Sequence, residues 1–161
     1  MRLLVGPITA VERLLALTPV DHVLTLLSPD AEAPPVPGPR TLLRFNDIVE
    51  PRPGLVAPTA ETIASILALR ATSTLLIHCH AGVSRSTAAA YVLACAVRPA
   101  GEEAALAAHL RRACPEATPN ALMVALADEA LGRGGAMREA IAAIGRGVDC
   151  HQGSAIDWRL C

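Results

Sequence analysis

The chain has 161 residues, a formal net charge of −1, 52% hydrophobic residues and 18% charged ones. That composition supports one domain with a real core and excludes an intrinsically disordered chain. The near-neutral charge argues against a nucleic-acid or membrane-surface protein, and three aromatic residues, Phe45, Tyr91 and Trp158, offer no base-stacking platform.

Arg2–Val5 reads as a short first strand. It is broken by Gly6-Pro7, with Glu12-Arg13 following too soon for a secretory leader. No apolar run approaches the ~20 residues a membrane span needs. Thr9 to Leu17 has helical spacing, with Thr9 as its expected cap. The continuous apolar run Val23–Leu27 is typical of a buried parallel strand. Ser28–Pro39 holds five prolines and reads as a loop. A strand at Thr41–Phe45 leads into a loop bounded by Pro51 and Pro53. Pro58-Thr59-Ala60-Glu61 opens a helix ending near Arg70, with Pro suited to its first turn. Leu75–His78 is a strand, and Ser86–Val97 is a helix that stops before Arg98-Pro99. Helices at Glu102–Ala113, Asn120–Leu131 and Met137–Ile144 follow, punctuated by Gly101, Pro115, Gly132 and Gly134-Gly135. The sum is an α/β domain over residues 1–145, a central, mostly parallel sheet flanked by helices with a helical C-terminal half. Residues 146–161 form a tail to which the sequence assigns no role.

Between the strand at Leu75–His78 and the helix at Ser86 lies His78-Cys79-His80-Ala81-Gly82-Val83-Ser84-Arg85-Ser86. A strand, a tight loop and a helix start can wrap a phosphate-sized anion with backbone N–H groups and the positive end of the helix. His80, Ala81, Gly82, Val83, Ser84 and Arg85 are the candidate phosphate-binding residues. Cys79 is the candidate nucleophile. A thiol reacts as its thiolate and a free one titrates at about 8.5, so the loop donors, the helix start and Arg85 would have to acidify it. The planar guanidinium of Arg85 can donate two parallel hydrogen bonds to an oxyanion, a geometry lysine lacks. Gly82 is expected to hold a backbone conformation that a Cβ disfavours. Ser86 is placed to assist sulfur as a leaving group, or else is a helix-start hydroxyl. His78 is expected to orient the loop. His80 either faces substrate or is a plain exposed side chain. The alternative for Cys79 is a buried, inert thiol. Cysteine and arginine six apart carry little weight alone, since arginine supplies 14 of the 161 residues. The flanking His, Gly, Ser, strand and helix give the pattern its weight.

These residues resemble the cysteine-dependent phosphatases of the protein-tyrosine and dual-specificity superfamily, whose signature H-C-x5-R-[ST] reads here as His78-Cys79 through Arg85-Ser86. Downstream, Arg111-Arg112-Ala113-Cys114-Pro115-Glu116-Ala117-Thr118-Pro119-Asn120-Ala121-Leu122-Met123 looks like the segment that follows the loop in compact dual-specificity phosphatases. Upstream, Leu43-Arg44-Phe45-Asn46-Asp47-Ile48 is similar to the segment carrying their general acid. Ile77-His78-Cys79, Pro119-Asn120 and Leu126-Ala127-Asp128 also resemble short bacterial phosphatase-like proteins. The resemblance covers roughly residues 1–135. It implies a cysteine-phosphatase fold and two-step hydrolysis through a cysteinyl-phosphate. It implies Asp47 as the acid and base, an effect of about 10²–10⁴-fold. Asp21, Asp30 and Glu50 are rivals, and a turn-forming role for Asp47 is the plain alternative. No cofactor or metal is implied, and no His/Cys/Asp cluster has ligand spacing.

The leading expectation is therefore a metal-independent phosphomonoester hydrolase, a protein tyrosine or dual-specificity phosphatase acting on phosphorylated protein or a small phosphomonoester. A catalytically weak phosphate-binding module is the alternative, and a sulfurtransferase-like thiol enzyme is a third reading that Arg85-Ser86 disfavours. Strict phosphotyrosine preference is put in doubt by the lack of any pocket-lining aromatic other than Phe45. Phosphoinositide or RNA-triphosphate substrates would call for basic residues that His80–Ser84 lacks. No nucleic-acid or membrane partner and no oligomeric state is implied. Five cysteines without framework spacing, and a thiol that must stay reduced, point to the cytoplasm. Cys95 reads as core, with a redox partnership with Cys79 as its alternative. Arg40, Arg44 and Arg52 read as solvated surface rather than a rim of the site. Arg111, Arg112 and Asn120 read as helix-end residues, and Asp128 and Glu129 as a solvated helix face.

Overall fold

The structure, a computed structural model, describes residues 1–160. Its five-stranded sheet has the order β3-β2-β4-β1-β5. The strands are β1 (Arg2–Pro7), β2 (His22–Leu27), β3 (Arg40–Arg44), β4 (Thr74–Cys79) and β5 (Ile156–Arg159). The first four are parallel, and β5 runs antiparallel to β1. The helices are α1 (Val11–Leu17), α2 (Ala60–Leu67), α3 (Arg85–Val97), α4 (Glu103–Ala113), α5 (Ala121–Ala130) and α6 (Ala136–Ile144), with short 3-10 turns at Ile8–Ala10 and Ala68–Ala71. The expected α/β architecture is present, and the expected elements form with their ends shifted by a residue or two. The exception is α2, whose last part tightens into the 3-10 turn. Among the described residues no helix is long and apolar enough to cross a membrane.

Alternation along the strands splits the core. Leu4, Val23 and Leu76 face α1 and its Val11 and Leu14. Leu3, Val5, Leu24, Leu26, Leu75 and Ile77 face the other helices. Helix α3 lies in the middle of that second layer, and every residue from Arg85 to Cys95 is buried. Alanine at positions 88, 89, 90 and 94 lets its neighbours approach closely, so the helix is gripped on all sides. Chain leaving β1 passes to the α1 face, while chain leaving the adjacent β4 enters α3 on the opposite face. A crevice opens where such connections diverge, beyond the carboxyl ends of the strands. The connection from Cys79 to Arg85 lies at that divergence.

Two local readings are corrected. Thr9 does not cap α1: the 3-10 turn that holds it precedes the helix, and its hydroxyl donates instead to Gln152 Oε1 at 2.8 Å. Asp128 is not on a solvated face. It is 3% exposed, and its carboxylate accepts the N–H groups of Gly135 at 2.6 Å and Met137 at 2.8 Å, fixing the start of α6. Glu129, next to it, is exposed as expected. The tail from 146 onward supplies β5, with Ile156 and Trp158 buried and Asp157 and Arg159 exposed. Trp158 stacks on His109 of α4 with ring centroids 4.8 Å apart.

Asp128→Ala strips two backbone donors of their acceptor inside the α5–α6 junction. It is expected to cost about 1–3 kcal/mol, read as a lower urea midpoint with an unchanged slope, whereas Glu129→Ala should be close to neutral.

Candidate active site

Cys79 ends β4 at the centre of the sheet and is 2% exposed. Its Sγ accepts the Gly82 N–H at 3.2 Å and lies 3.2 Å from the hydroxyl of Ser86, which is fully buried. Gly82 has φ +70°, and a Cβ there would stand 2.4 Å from Pro7 N. Glycine is required by conformation and by the end of β1.

The carbonyls of the loop are drawn outward by donors from the first turn of α3 and from distant parts of the chain. His80 O accepts Ile8 N–H at 3.1 Å, Ala81 O accepts Gly153 N–H at 2.8 Å, and Val83 O accepts Thr118 N–H at 2.9 Å. Ser84 O accepts Ala88 N–H at 2.9 Å, Asn120 N–H at 3.3 Å and the Thr87 hydroxyl at 3.0 Å. No peptide bond is cis. In a trans peptide the carbonyl and the next N–H point in opposite directions. Outward carbonyls at 80, 81, 83 and 84 therefore turn the N–H groups of Ala81, Gly82, Ser84 and Arg85 toward the hollow over the sulfur. The start of α3 adds its dipole there.

Arg85 is 6% exposed. Its Nη1 donates to Phe45 O at 2.9 Å and to Ser28 Oγ at 3.3 Å, and the guanidinium carbon stands 6.0 Å from the centre of the Phe45 ring. Nε is buried with no protein acceptor. An unpartnered buried donor on a fixed guanidinium is costly unless an anion meets it. Phe45 is buried against Arg85.

Asp47 is exposed on the loop after β3. Its Oδ1 accepts the Ser84 hydroxyl at 2.7 Å and Asn120 Nδ2 at 2.8 Å, which brings it to the Cys79 loop. Asn120 also donates to Ile48 O at 3.1 Å, and its Oδ1 caps α5 through Met123 N–H at 3.0 Å. It is the helix cap expected and also a link between both loops. Of the rivals, Asp21 accepts Thr74 N–H at 2.8 Å, at the opposite end of β4 from Cys79. Glu50 pairs with Arg52 at the exposed surface, 3.3 Å apart. Asp30 lies on the loop after β2 with an exposed side chain. His80 is also exposed. Arg40 and Arg44 donate to carbonyls of the proline-rich loop, at Pro34 and at Ser28, Pro29 and Ala31, and so shape that loop.

His78 is fully buried. Its Nε2 shares a hydrogen bond with Thr25 Oγ1 at 2.9 Å across the β2–β4 pair, while Nδ1 is buried without a hydrogen-bond partner. Burial lowers its pKa to about 4, the Cys79 main chain opposes the shift, and Arg40 adds to it. Burial pushes the Cys95 thiol up to about 12 and the Cys114 thiol up to about 11. Both lie in the core. Among the described residues no group of three or more His, Cys, Asp or Glu side chains is placed to hold a metal ion.

Sequence reasoning did not find Ser28, the Phe45 carbonyl, the Asn120–Asp47 bond or Gly153, all of which touch the site. Compared with models of known protein families the chain matches none, and no curated protein matches it.

Because the pKa of His78 is lowered on folding, folding favours its neutral form. That contribution is complete above about 6.5 and is lost as pH falls toward about 4. The loss is at most about 3 kcal/mol. His78→Asn should flatten the fall in urea-unfolding free energy across that window relative to wild type; parallel curves would contradict the assignment.

Proposed function

We propose that this protein is a metal-independent phosphomonoester hydrolase that works through a cysteinyl-phosphate on Cys79, with protein tyrosine or dual-specificity phosphatase chemistry. The observation that carries the reading is the pairing of a sulfur that already accepts an inward N–H with a buried arginine Nε that has no protein acceptor. On this reading the sulfur and the arginine serve one phosphoryl group as nucleophile and oxyanion donor.

In the first step the Cys79 thiolate attacks phosphorus. The S–P bond forms, the P–O ester bond breaks, and the departing oxygen takes a proton from Asp47. The loop N–H groups and the free edge of Arg85 hold the equatorial oxygens. In the second step Asp47 takes a proton from water as its oxygen attacks phosphorus, and the S–P bond breaks. The Ser86 hydroxyl donates to the sulfur that leaves, which its position 3.2 Å from Sγ supports. Inorganic phosphate departs and the thiolate is restored. Ser84 and Asn120 hold Asp47 over the loop. The lowered pKa of His78 keeps that ring neutral beneath the nucleophile. A cytoplasmic setting suits a thiol that must stay reduced.

The test is phosphate release in EDTA and dithiothreitol from phosphotyrosine, phosphoserine and phosphothreonine peptides, phosphoinositides and RNA 5′-triphosphate, with Cys79→Ser as the blank. Release by wild type and none by Cys79→Ser is expected; equal release by both would overturn the mechanism. Asp47→Asn should lower kcat by about 10²-fold or more for poor leaving groups and far less for p-nitrophenyl phosphate. If it behaves as wild type with both, the acid lies elsewhere.

A further inference from the structure

The segment between α6 and β5 has no part in the reaction above, yet it lies against the outside of the Cys79 loop. Gly153 is buried between the exposed residues Gln152 and Ser154. Its N–H donates to Ala81 O at 2.8 Å. A Cβ at position 153 would stand 2.6 Å from Gly82 O and 3.3 Å from Val83 Cγ2. Only glycine lets the segment come this close to the loop backbone.

The Ala81–Gly82 peptide is trans. Drawing Ala81 O outward aims Gly82 N–H inward, and that N–H is the one that meets Cys79 Sγ at 3.2 Å. A hydrogen bond at one end of an amide polarises it and strengthens the bond at the other. A relay therefore runs from Gly153 N–H through the Ala81 carbonyl and Gly82 N–H to the sulfur. The segment is also anchored to residues 115–118, of which Thr118 itself donates its N–H to Val83 O of the loop. Gly147 N–H donates to Thr118 Oγ1 and Val148 N–H to Pro115 O, both at 3.0 Å. The Glu116 carboxylate accepts Ser154 N–H at 3.2 Å and the Ser154 hydroxyl at 3.1 Å. Beyond it, β5 pairs with β1.

We infer that Gly153 is a positioning residue for the nucleophile, and that the segment 147–154 is a brace whose displacement turns the Gly82 N–H away from Cys79. The consequence for turnover rests on the phosphatase reading; the consequence for the sulfur does not.

The test compares full-length wild type, Gly153→Ala and His151→Ala, each first checked for folding by urea unfolding. Iodoacetamide alkylation of Cys79 at pH 7 is followed by peptide mass spectrometry, with the exposed Cys150 as reference in the same sample, and orthovanadate affinity is measured alongside. Gly153→Ala should slow Cys79 relative to Cys150 and weaken vanadate binding, each by about tenfold, as expected for one lost hydrogen bond to a charged group. His151→Ala, at an exposed side chain of the same segment, should leave both unchanged. Unchanged alkylation and vanadate binding in Gly153→Ala overturn the brace, as does an equal change in His151→Ala. If Gly153→Ala does not fold, wild type decides by NMR. Alkylating Cys79 should shift the Gly153 amide resonance together with that of Gly82 and leave Gly101, which bonds to Glu103, in place; an unmoved Gly153 overturns the inference. A wild type that releases no phosphate from any substrate, while Gly153→Ala still slows alkylation, overturns the phosphatase reading and supports the brace.

Discussion

A loop that binds an anion through its backbone must turn N–H groups inward, and a trans peptide permits this only if the attached carbonyls face out. Outward carbonyls inside a fold need donors of their own. Here those donors come from Ile8 after β1, Thr118 and Asn120 before α5, Thr87 and Ala88 in α3, and Gly153 before β5. The termini of the chain and its middle thus meet at one short loop. Much of the fold can be understood as the scaffold that delivers these donors.

The same constraint explains the dense packing of α3. A helix whose first turn must hold Arg85 and present its positive end to the sulfur cannot be free to tilt. An alanine-rich sequence buried from Arg85 to Cys95 gives it neighbours on every side. Arg85 is steadied by Phe45 O and Ser28 Oγ, while its Nε is buried with no protein acceptor. Fixing donors before a ligand arrives is the arrangement in which they contribute most to stabilising developing charge.

The strand–loop–helix around Cys79 was legible because its signals are local: an apolar run, a glycine at a positive φ and a helix with a sharp start. Asp47 was singled out through the resemblance of Leu43–Ile48 to a general-acid segment, and its bond to Ser84 brings it beside the Cys79 loop. Its partner Asn120 was readable only as a cap, since a bond between residues 73 apart leaves no trace in spacing. Asp128 looked solvated because helical periodicity does not reveal a second helix start seven residues on that needs its carboxylate. The last strand could have been found: Ile156-Asp157-Trp158-Arg159 alternates apolar and charged residues, the period of a half-buried strand. Its role beside the loop could not, because Gly153 matters through the absence of a Cβ at a contact made only in the folded chain.

The central claim is that Cys79 carries the phosphoryl group. The direct measurement is an acid quench of wild type within the first turnover of p-nitrophenyl phosphate, followed by mass spectrometry of the peptide containing Cys79. A phosphoryl adduct on Cys79, absent from Cys79→Ser, is the predicted result. Phosphate release with the adduct on another residue, or with no adduct in an Asp47→Asn background where hydrolysis of the intermediate is slowed, would contradict it.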